Sequence, residues 1–257
     1  MPEQTRVLVV SANPSNTSPI RVDEEAREIY ERIQEGPYRD NFKLEIYPAL
    51  RPCDLQRLLM RHRPHIVHFS GHGHKTEQLF LNGTGDRGKT VDADGLAQVF
   101  ALYRQHVRLV VLNACFTDGM ARLITETVDY AIGTGKGIGD KAAVALAGAF
   151  YRALGFGRSV REAFASAQAE LSLIRMPRTQ GIELFVRDGT DDGDQFPRVN
   201  QTQLKTTAAR SACPITFFET RTITRFSNRI TRRHAGARRS HDEPRPASST
   251  MSGDCGA

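Results

Sequence analysis

The sequence contains no tryptophan, only four cysteines, and no apolar run that approaches the length of a membrane-spanning helix, which is about 20 residues. Its N-terminus also lacks the basic segment and apolar stretch of a signal peptide. The cysteines are too scattered for a disulfide framework and indicate free thiols in a reducing compartment, namely Cys53, Cys115, Cys213 and Cys255. We therefore expect a soluble, cytoplasmic protein with no membrane partner.

The excess of positive charge is confined to one end of the chain. Lysine and arginine total 35 against 29 acidic residues, a formal charge of +6, but residues 201–257 hold ten of these basic residues and only four of the acidic ones. Residues 1–200 are therefore neutral, and nucleic acid is not an expected partner. We predict one domain over residues 1–190, followed by a basic, disordered tail over residues 191–257.

Strand and helix patterns alternate with short loops as far as residue 188. Strands are predicted at 6–12, 42–50 (an edge strand), 65–70, 107–112, 130–135 and 182–186, with a hairpin arm at 78–81. Helices are predicted at 23–35, 52–62, 92–103, 117–128, 141–154 and 159–173, with Asp140 as the cap of the fifth. This alternation predicts an α/β fold, a doubly wound, mostly parallel sheet of about six strands with helices on both faces.

Two of the buried strands end in residues that carry chemistry. The strand at 65–70 runs into His72, and the strand at 107–112 runs into Cys115, 43 residues later. Ligands bind outside the carboxyl ends of strands in open α/β sheets, and a strand, a crossover helix and a second strand fill such a gap. A cysteine with a histidine about 50 residues upstream is also the caspase arrangement. We therefore predict a Cys/His dyad.

Four motifs, in this order, resemble the CHAT domain, a family of the caspase-like (clan CD) cysteine peptidases. They are V-L-V-V-S-A-N-P with the helix D-E-E-A-R-E-I, then I-V-H-F-S-G-H-G, then V-V-L-N-A-C, and last G-D-K-A-A-V-A-L-A-G-A-F-Y-R-A-L. The resemblance covers residues 5–188 and implies a caspase-like fold with His72 and Cys115 as the dyad. It implies no cofactor and no metal.

The resemblance also implies roles for residues beside the dyad. The backbone amides of Gly73 and Cys115 are expected to form the oxyanion hole, and Asn113 is expected to line the pocket for the residue that precedes the cut. Caspases have Gln at the position of Asn113 and Gly at that of Thr117, so specificity for aspartate is not implied. Asp118 and Asp140 would instead provide an acidic pocket for Lys or Arg.

The expected activity is hydrolysis of peptide bonds in a protein or peptide substrate. An ordinary thiol, with a pKa of about 8.5, is only a few per cent thiolate at neutral pH, and an adjacent imidazolium increases that fraction. The family works in bacterial signalling and defence, where a partner protein switches the peptidase on, so a latent enzyme is expected. The alternative is a catalytically silent interaction module with the same fold.

Two other motifs suggest different classes of site and are not favoured. Five histidines between residues 62 and 74 suggest a metal site, but they lack the spacing of a metallohydrolase. Residues 83–90 match the P-loop pattern GxxxxGK[ST], yet only a four-residue strand precedes them and helix signals begin at Asp92. A nucleotide-binding protein that uses this Gly-rich loop therefore remains an unfavoured alternative.

Overall fold

The computed structural model describes residues 4–83, 88–176, 179 and 181–190. Within these residues, the six α-helices are α1 (Val22–Glu35), α2 (Pro52–His62), α3 (Ala93–Leu102), α4 (Asp118–Ile124), α5 (Asp140–Gly155) and α6 (Val160–Leu173). The nine strands of the same residues are β1 (Thr5–Ser11), β2 (Phe42–Tyr47), β3 (Ile66–Ser70), β4 (His72–His74), β5 (Gln78–Asn82), β6 (Gly88–Asp92), β7 (Leu109–Asn113), β8 (Tyr130–Thr134) and β9 (Ile182–Val186).

Six of the strands form one mixed sheet in the order β2-β1-β3-β7-β8-β9. The first five are parallel, and β9 pairs antiparallel with β8. Strand β2 lies at an edge, as predicted, while β3 and β7 are central and fully buried. The predicted class, a doubly wound and mostly parallel α/β sheet, is confirmed.

The two faces of the sheet pack against different helices. On β3, His68 and Ser70 point toward α1 and α5, because they alternate with Val67 and Phe69, which belong to the core on the other face. Helices α1, α5 and α6 cover the first face, and α2, α3 and α4 cover the second. Polar side chains at the end of β3 are therefore buried beneath α1 and α5.

Helices α1 and α5 approach each other closely at glycine. A Cβ atom on Gly36, just after α1, would lie 2.1 Å from the carbonyl oxygen of Gly155 at the end of α5. The amide of Tyr38 also donates a hydrogen bond to that carbonyl, with N and O 3.2 Å apart. This close approach holds α1 against α5 and fixes the position of the α1 side chains over the sheet.

The predicted hairpin arm is confirmed, and two other local predictions are wrong in detail. Residues 78–81 belong to β5, which pairs antiparallel with β4 and with β6 in a separate three-stranded sheet. Helix α4 ends at Ile124 rather than Val128, where the hydroxyl of Thr125 donates to the carbonyl of Arg122 and competes with further helix. Asp140 does not cap α5, whose N-cap is Gly139.

The predicted tail over residues 191–257 lies outside the described residues. Within the described part of the chain, no helix is both long enough and apolar enough to span a membrane.

The buried centre of the sheet is expected to dominate stability. Leu109 of β7 is 0 % exposed, whereas Leu173 at the end of α6 is 83 % exposed. Leu109→Ala should lower the free energy of unfolding by about 2–5 kcal/mol, because it leaves a cavity in a close-packed core. Leu173→Ala, the matched control, should change it by less than about 0.5 kcal/mol. Urea unfolding followed by circular dichroism measures both, and equal effects would contradict the assigned core.

Candidate active site

The carboxyl ends of β3 and β7 meet side by side. Ser70 and Asn113, the last residues of the two strands, are paired in the parallel register. The amide of Gly71 also donates to the carbonyl of Asn113, with N and O 3.4 Å apart. His72 and Cys115 each follow two residues later, so the structure brings both predicted residues to the same end of the same sheet.

The imidazole of His72 is held by a backbone carbonyl. Its Nε2 lies 2.8 Å from the carbonyl oxygen of Ser18, in the loop between β1 and α1. A carbonyl oxygen only accepts, so Nε2 carries the proton and donates it. In the neutral ring Nδ1 is then the nitrogen with a free lone pair, ready to accept a proton. No pattern in the sequence indicates this role for Ser18, because the contact uses its backbone.

The thiol of Cys115 is partly buried beside the loop that joins β8 to α5. Its Sγ lies 3.9 Å from the carbonyl oxygen of Ile138, and a Cβ atom on Gly137 would lie at the same distance from Sγ. The next residue, Phe116, has a φ of 56°. A left-handed backbone at a bulky residue is uncommon and concentrates at functional sites, where the surrounding structure compensates the strain.

Two threonines hold the turn that carries Cys115. The hydroxyl of Thr117 donates to the carbonyl of Ala114 at 3.0 Å and accepts from the amide of Thr134 at 3.0 Å. The hydroxyl of Thr134 donates to the same Ala114 carbonyl at 2.6 Å. The backbone on both sides of Cys115 is thus attached to the end of β8, which compensates the strain at Phe116.

Gly73 packs directly against the backbone of Cys115. A Cβ atom at position 73 would lie 1.7 Å from the carbonyl oxygen of Cys115 and 3.2 Å from its amide nitrogen. Only glycine allows this approach. The two residues predicted to form the oxyanion hole are therefore neighbours, and the role itself stays a prediction.

Asn113 is buried rather than exposed at the surface of the site. Its Nδ2 donates to Oε1 of Glu25 at 2.6 Å and to the carbonyl of Ala143 at 3.0 Å. Its Oδ1 is buried and has no hydrogen-bond partner among the described residues. The side chain lies under the sheet end, between α1 and α5, and its predicted contact with substrate stays a prediction.

Glu25 of α1 is a functional candidate that sequence analysis missed. It is 4 % exposed, and its carboxylate also accepts from Oγ of Ser70 and contacts Nε2 of His68, each at 2.6 Å. The other ring nitrogen of His68 lies 3.3 Å from the hydroxyl of Tyr151. The signal in the sequence for this role was that Glu25, an acidic residue, lies beside Ala26 on the apolar face of the predicted helix at 23–35.

The acidic residues predicted for a substrate pocket differ in their partners. Asp140 accepts from the backbone amide of Arg21 at 3.1 Å and pairs with its guanidinium at 3.3 Å. Asp118 begins α4, and its nearest carboxylate oxygen is 3.1 Å from the place of a Cβ on Gly135. The carboxylate of Glu77 lies beside Gly119, 2.5 Å from the place of a Cβ. Asp118 and Glu77 thus flank the start of α4, and this helix begins three residues after Cys115.

The unfavoured motifs have structural contexts of their own. Over the described residues, no group of three or more His, Cys, Asp or Glu side chains is arranged to hold a metal ion. Lys89 of the P-loop-like stretch is exposed on strand β6, and the next helix starts only at Ala93. A P-loop needs its helix to begin at the lysine, so this context does not support phosphate binding.

The mixed α/β sheet, with a histidine and a cysteine at adjacent strand ends, agrees with the caspase-like class that the sequence predicts. The sequence profile of the CHAT domain matches residues 2–201. The chain therefore belongs to the CHAT domain family, and with it to the caspase-like peptidases.

Two relatives are distant in sequence, and each is much longer than this chain. A Roc-COR-CHAT protease from an unknown prokaryotic organism is 24 % identical over 183 residues, which cover 68 % of this chain and 17 % of that protein. A probable protease of Gillisia limnaea is 25 % identical over 150 residues, 58 % of this chain and 26 % of that protein. Among solved structures, the Drosophila initiator caspase Dronc is similar, with 10 % identity, a TM-score of 0.42, and coverage of 63 % of this chain and 70 % of that one.

Substitution of Gly73 should disturb the site more than substitution of Gly137. Gly73→Ala places a methyl group in steric overlap with the carbonyl oxygen of Cys115. The substitution should therefore lower the free energy of unfolding by about 1–3 kcal/mol. Gly137→Ala places its methyl group 3.9 Å from Sγ, an ordinary contact, and is the matched control. Urea unfolding measures the difference, and an unchanged midpoint for Gly73→Ala would show that the two loops are further apart.

Proposed function

We propose that this protein is a cysteine endopeptidase in which Cys115 is the nucleophile and His72 is the general base and acid. The observation that carries the proposal is the placement of both residues just beyond the paired ends of β3 and β7. The Ser18 carbonyl supports it, because it leaves Nδ1 of His72 as the proton-accepting nitrogen. The relatives named as proteases agree with this reaction class.

The reaction follows from these groups. His72 takes the proton of the Cys115 thiol, and Sγ attacks the carbonyl carbon of the scissile peptide bond. The backbone amides of Gly73 and Cys115 stabilise the oxyanion, a contribution of about 2.7–4 kcal/mol per donor in another hydrolase. The imidazolium then protonates the leaving amine, and a water molecule, deprotonated by His72, hydrolyses the thioester and restores the thiol.

Latency is part of the proposal. In the described part of the chain, the thiol and the imidazole each contact a backbone carbonyl, of Ile138 and Ser18, rather than each other. Transient approach of the two side chains in the isolated chain would suffice for alkylation of the thiol, and a partner would hold them together for cleavage. Such an arrangement fits a peptidase that an activating partner protein switches on, in bacterial signalling or defence. The chain also covers only 17 % and 26 % of the lengths of the two relatives named above.

The proposed substrate site favours a basic side chain. The carboxylates of Asp118 and Glu77 lie at the start of α4. This helix begins three residues after the nucleophile. Asp140 pairs with Arg21, so we assign it a smaller part in binding than Asp118. A lysine or arginine of the substrate would complete the charge pairing there.

Alkylation of Cys115 is expected to depend on His72. Iodoacetamide should modify Cys115 at lower pH than it modifies Cys53, because an adjacent imidazolium stabilises the thiolate. His72→Ala should remove that difference. Mass spectrometry of the labelled peptides from pH 5 to 9 measures both sites in one sample, and the exposed Cys53 is the internal control.

Two results decide between the peptidase and the silent module. Loss of the low-pH alkylation in His72→Ala, together with peptide cleavage that Cys115→Ala abolishes, supports the peptidase. Equal alkylation of Cys115 and Cys53 in the wild type, unaffected by His72→Ala, contradicts the dyad and favours the interaction module.

The preference for basic residues gives a separate prediction. Asp118→Asn should lower kcat/KM for peptides with Arg or Lys before the cut by roughly 10–100-fold, the value of a charge-assisted hydrogen bond. Asp94→Asn, an exposed acidic residue on α3, is the matched control and should change little. Equal losses for neutral and basic peptides would assign Asp118 a structural role instead.

A further inference from the structure

Glu25 connects the two strands that lead into the proposed dyad. Its Oε1 accepts from Asn113 of β7, and its Oε2 accepts from Ser70 of β3, each at 2.6 Å. These partners are cross-strand neighbours in the sheet. One carboxylate of α1 therefore joins the last residues of two adjacent strands.

The two partners stand in the same relation to the dyad. Ser70 precedes His72 by two residues, and Asn113 precedes Cys115 by two residues. A carboxylate that fixes both strand ends also fixes the origin of the loop that carries Cys115 and the entry into β4, whose first residue is His72. The short reach of two residues leaves little freedom for either segment to compensate if a strand end shifts.

The remaining contacts hold the carboxylate itself in place. His68, 0 % exposed, contacts Oε1 through Nε2 at 2.6 Å and is backed by Tyr151 of α5. Burial and the nearby Glu25 charge raise the pKa of Tyr151 well above its usual value, so its hydroxyl stays protonated beside Nδ1 of His68. A carboxylate only accepts, so Nε2 of His68 donates to Glu25, and all three groups facing the carboxylate are donors.

A second link runs from the same helix end to the same site. The chain just before α1 supplies the Ser18 carbonyl that holds His72, and Arg21 pairs with Asp140 at the start of α5. The segment that leads into α1 thus contacts His72 and also Asp140, two residues beyond the Ile138 carbonyl that contacts Cys115. This segment is therefore well placed to set the separation of His72 and Cys115.

We propose that Glu25 is a positioning residue for the dyad: its buried carboxylate sets the spacing of the β3 and β7 ends, so that His72 and Cys115 meet. This inference rests on the proposed peptidase function. Glu25 touches neither reacting side chain and acts through Ser70 and Asn113.

The test compares three substitutions in the full chain. Glu25→Ala removes the whole bridge, and Ser70→Ala removes only its β3 arm. Glu25→Gln keeps the geometry, because its oxygen accepts from His68 and Asn113 while its amide donates to the hydroxyl of Ser70, which both donates and accepts. Iodoacetamide alkylation of Cys115 from pH 5 to 9, relative to Cys53, is the readout.

We expect Glu25→Ala to slow alkylation of Cys115 at pH 6 by about tenfold or more, since small misplacements of reacting groups cost up to about a hundredfold. Ser70→Ala should slow it less, and Glu25→Gln should restore the wild-type profile to within about threefold. Ile29→Ala is the matched control, because Ile29 lies one turn further along α1, is 0 % exposed and contacts none of the network partners by hydrogen bond. It should reduce stability and leave the pH profile unchanged.

Three outcomes would overturn the inference. A wild-type alkylation profile in both Glu25→Ala and Ser70→Ala shows that the bridge does not set the dyad. A profile altered equally by Ile29→Ala shows that any loss of α1 packing has the same effect. A Glu25→Gln profile as impaired as that of Glu25→Ala shows that the charge, and not the spacing, is required. If Glu25→Ala does not fold, Ser70→Ala and Glu25→Gln decide alone.

Amide hydrogen exchange separates this inference from the proposed function. It reports on residues 71–74 and 114–117 whether or not the dyad is active. Faster exchange of both segments in Ser70→Ala or Glu25→Ala, but not in Ile29→Ala, supports positioning by Glu25 even if His72→Ala leaves alkylation unchanged and the peptidase proposal fails. Unchanged exchange in both segments, with an active dyad in the wild type, overturns the positioning role alone.

Discussion

A carboxylate buried at the end of a sheet is the constraint on which the site depends. Removing an unpaired carboxylate from water costs several kcal/mol, so Glu25 is tolerated only because donors surround it. Those donors are His68, Ser70 and Asn113, each 2.6 Å away. Because they come from both central strands, the charge is stable only while the strand ends and α1 keep their relative positions.

This constraint explains why polar residues occupy an otherwise apolar face. Along β3 and β7, the side chains that face α1 and α5 become polar toward the carboxyl ends, where His68, Ser70 and Asn113 lie. The opposite face remains apolar over the same length, with Phe69 and Leu112 in the core. The sheet therefore has a stable apolar base and a polar end whose hydrogen bonds have defined directions. Directional bonds specify a single arrangement of the loops more strictly than apolar contacts do.

The sequence was sufficient to predict the elements that carry the site, and insufficient to predict what holds them. Apolar runs that end in His72 and Cys115 predicted two parallel strands, and the structure confirms that they are neighbours. The contacts of Ser18 and Glu25 could not be predicted, since one uses a backbone carbonyl and the other pairs residues 45 and 88 positions apart. Asn113 shows the same limit. The resemblance to the CHAT domain implies a substrate contact for it, which stays a prediction, and its burial under α1 depends on helix packing that no local pattern encodes.

The close approach of Gly73 to Cys115 shows how little tolerance the arrangement has. The two backbones are near enough that no side chain fits at position 73, and the turn after Cys115 is already strained at Phe116. Such a geometry does not arise from these segments alone, because Gly71 and Gly73 permit many other conformations. It requires anchors from other elements, and these include the pairing of β4 with β5, Thr134 on β8, Ser18 before α1 and Glu25 within it. Ser18 and Glu25 both belong to the α1 region, so a displacement of this helix end would release the contact with His72 and the strand ends together.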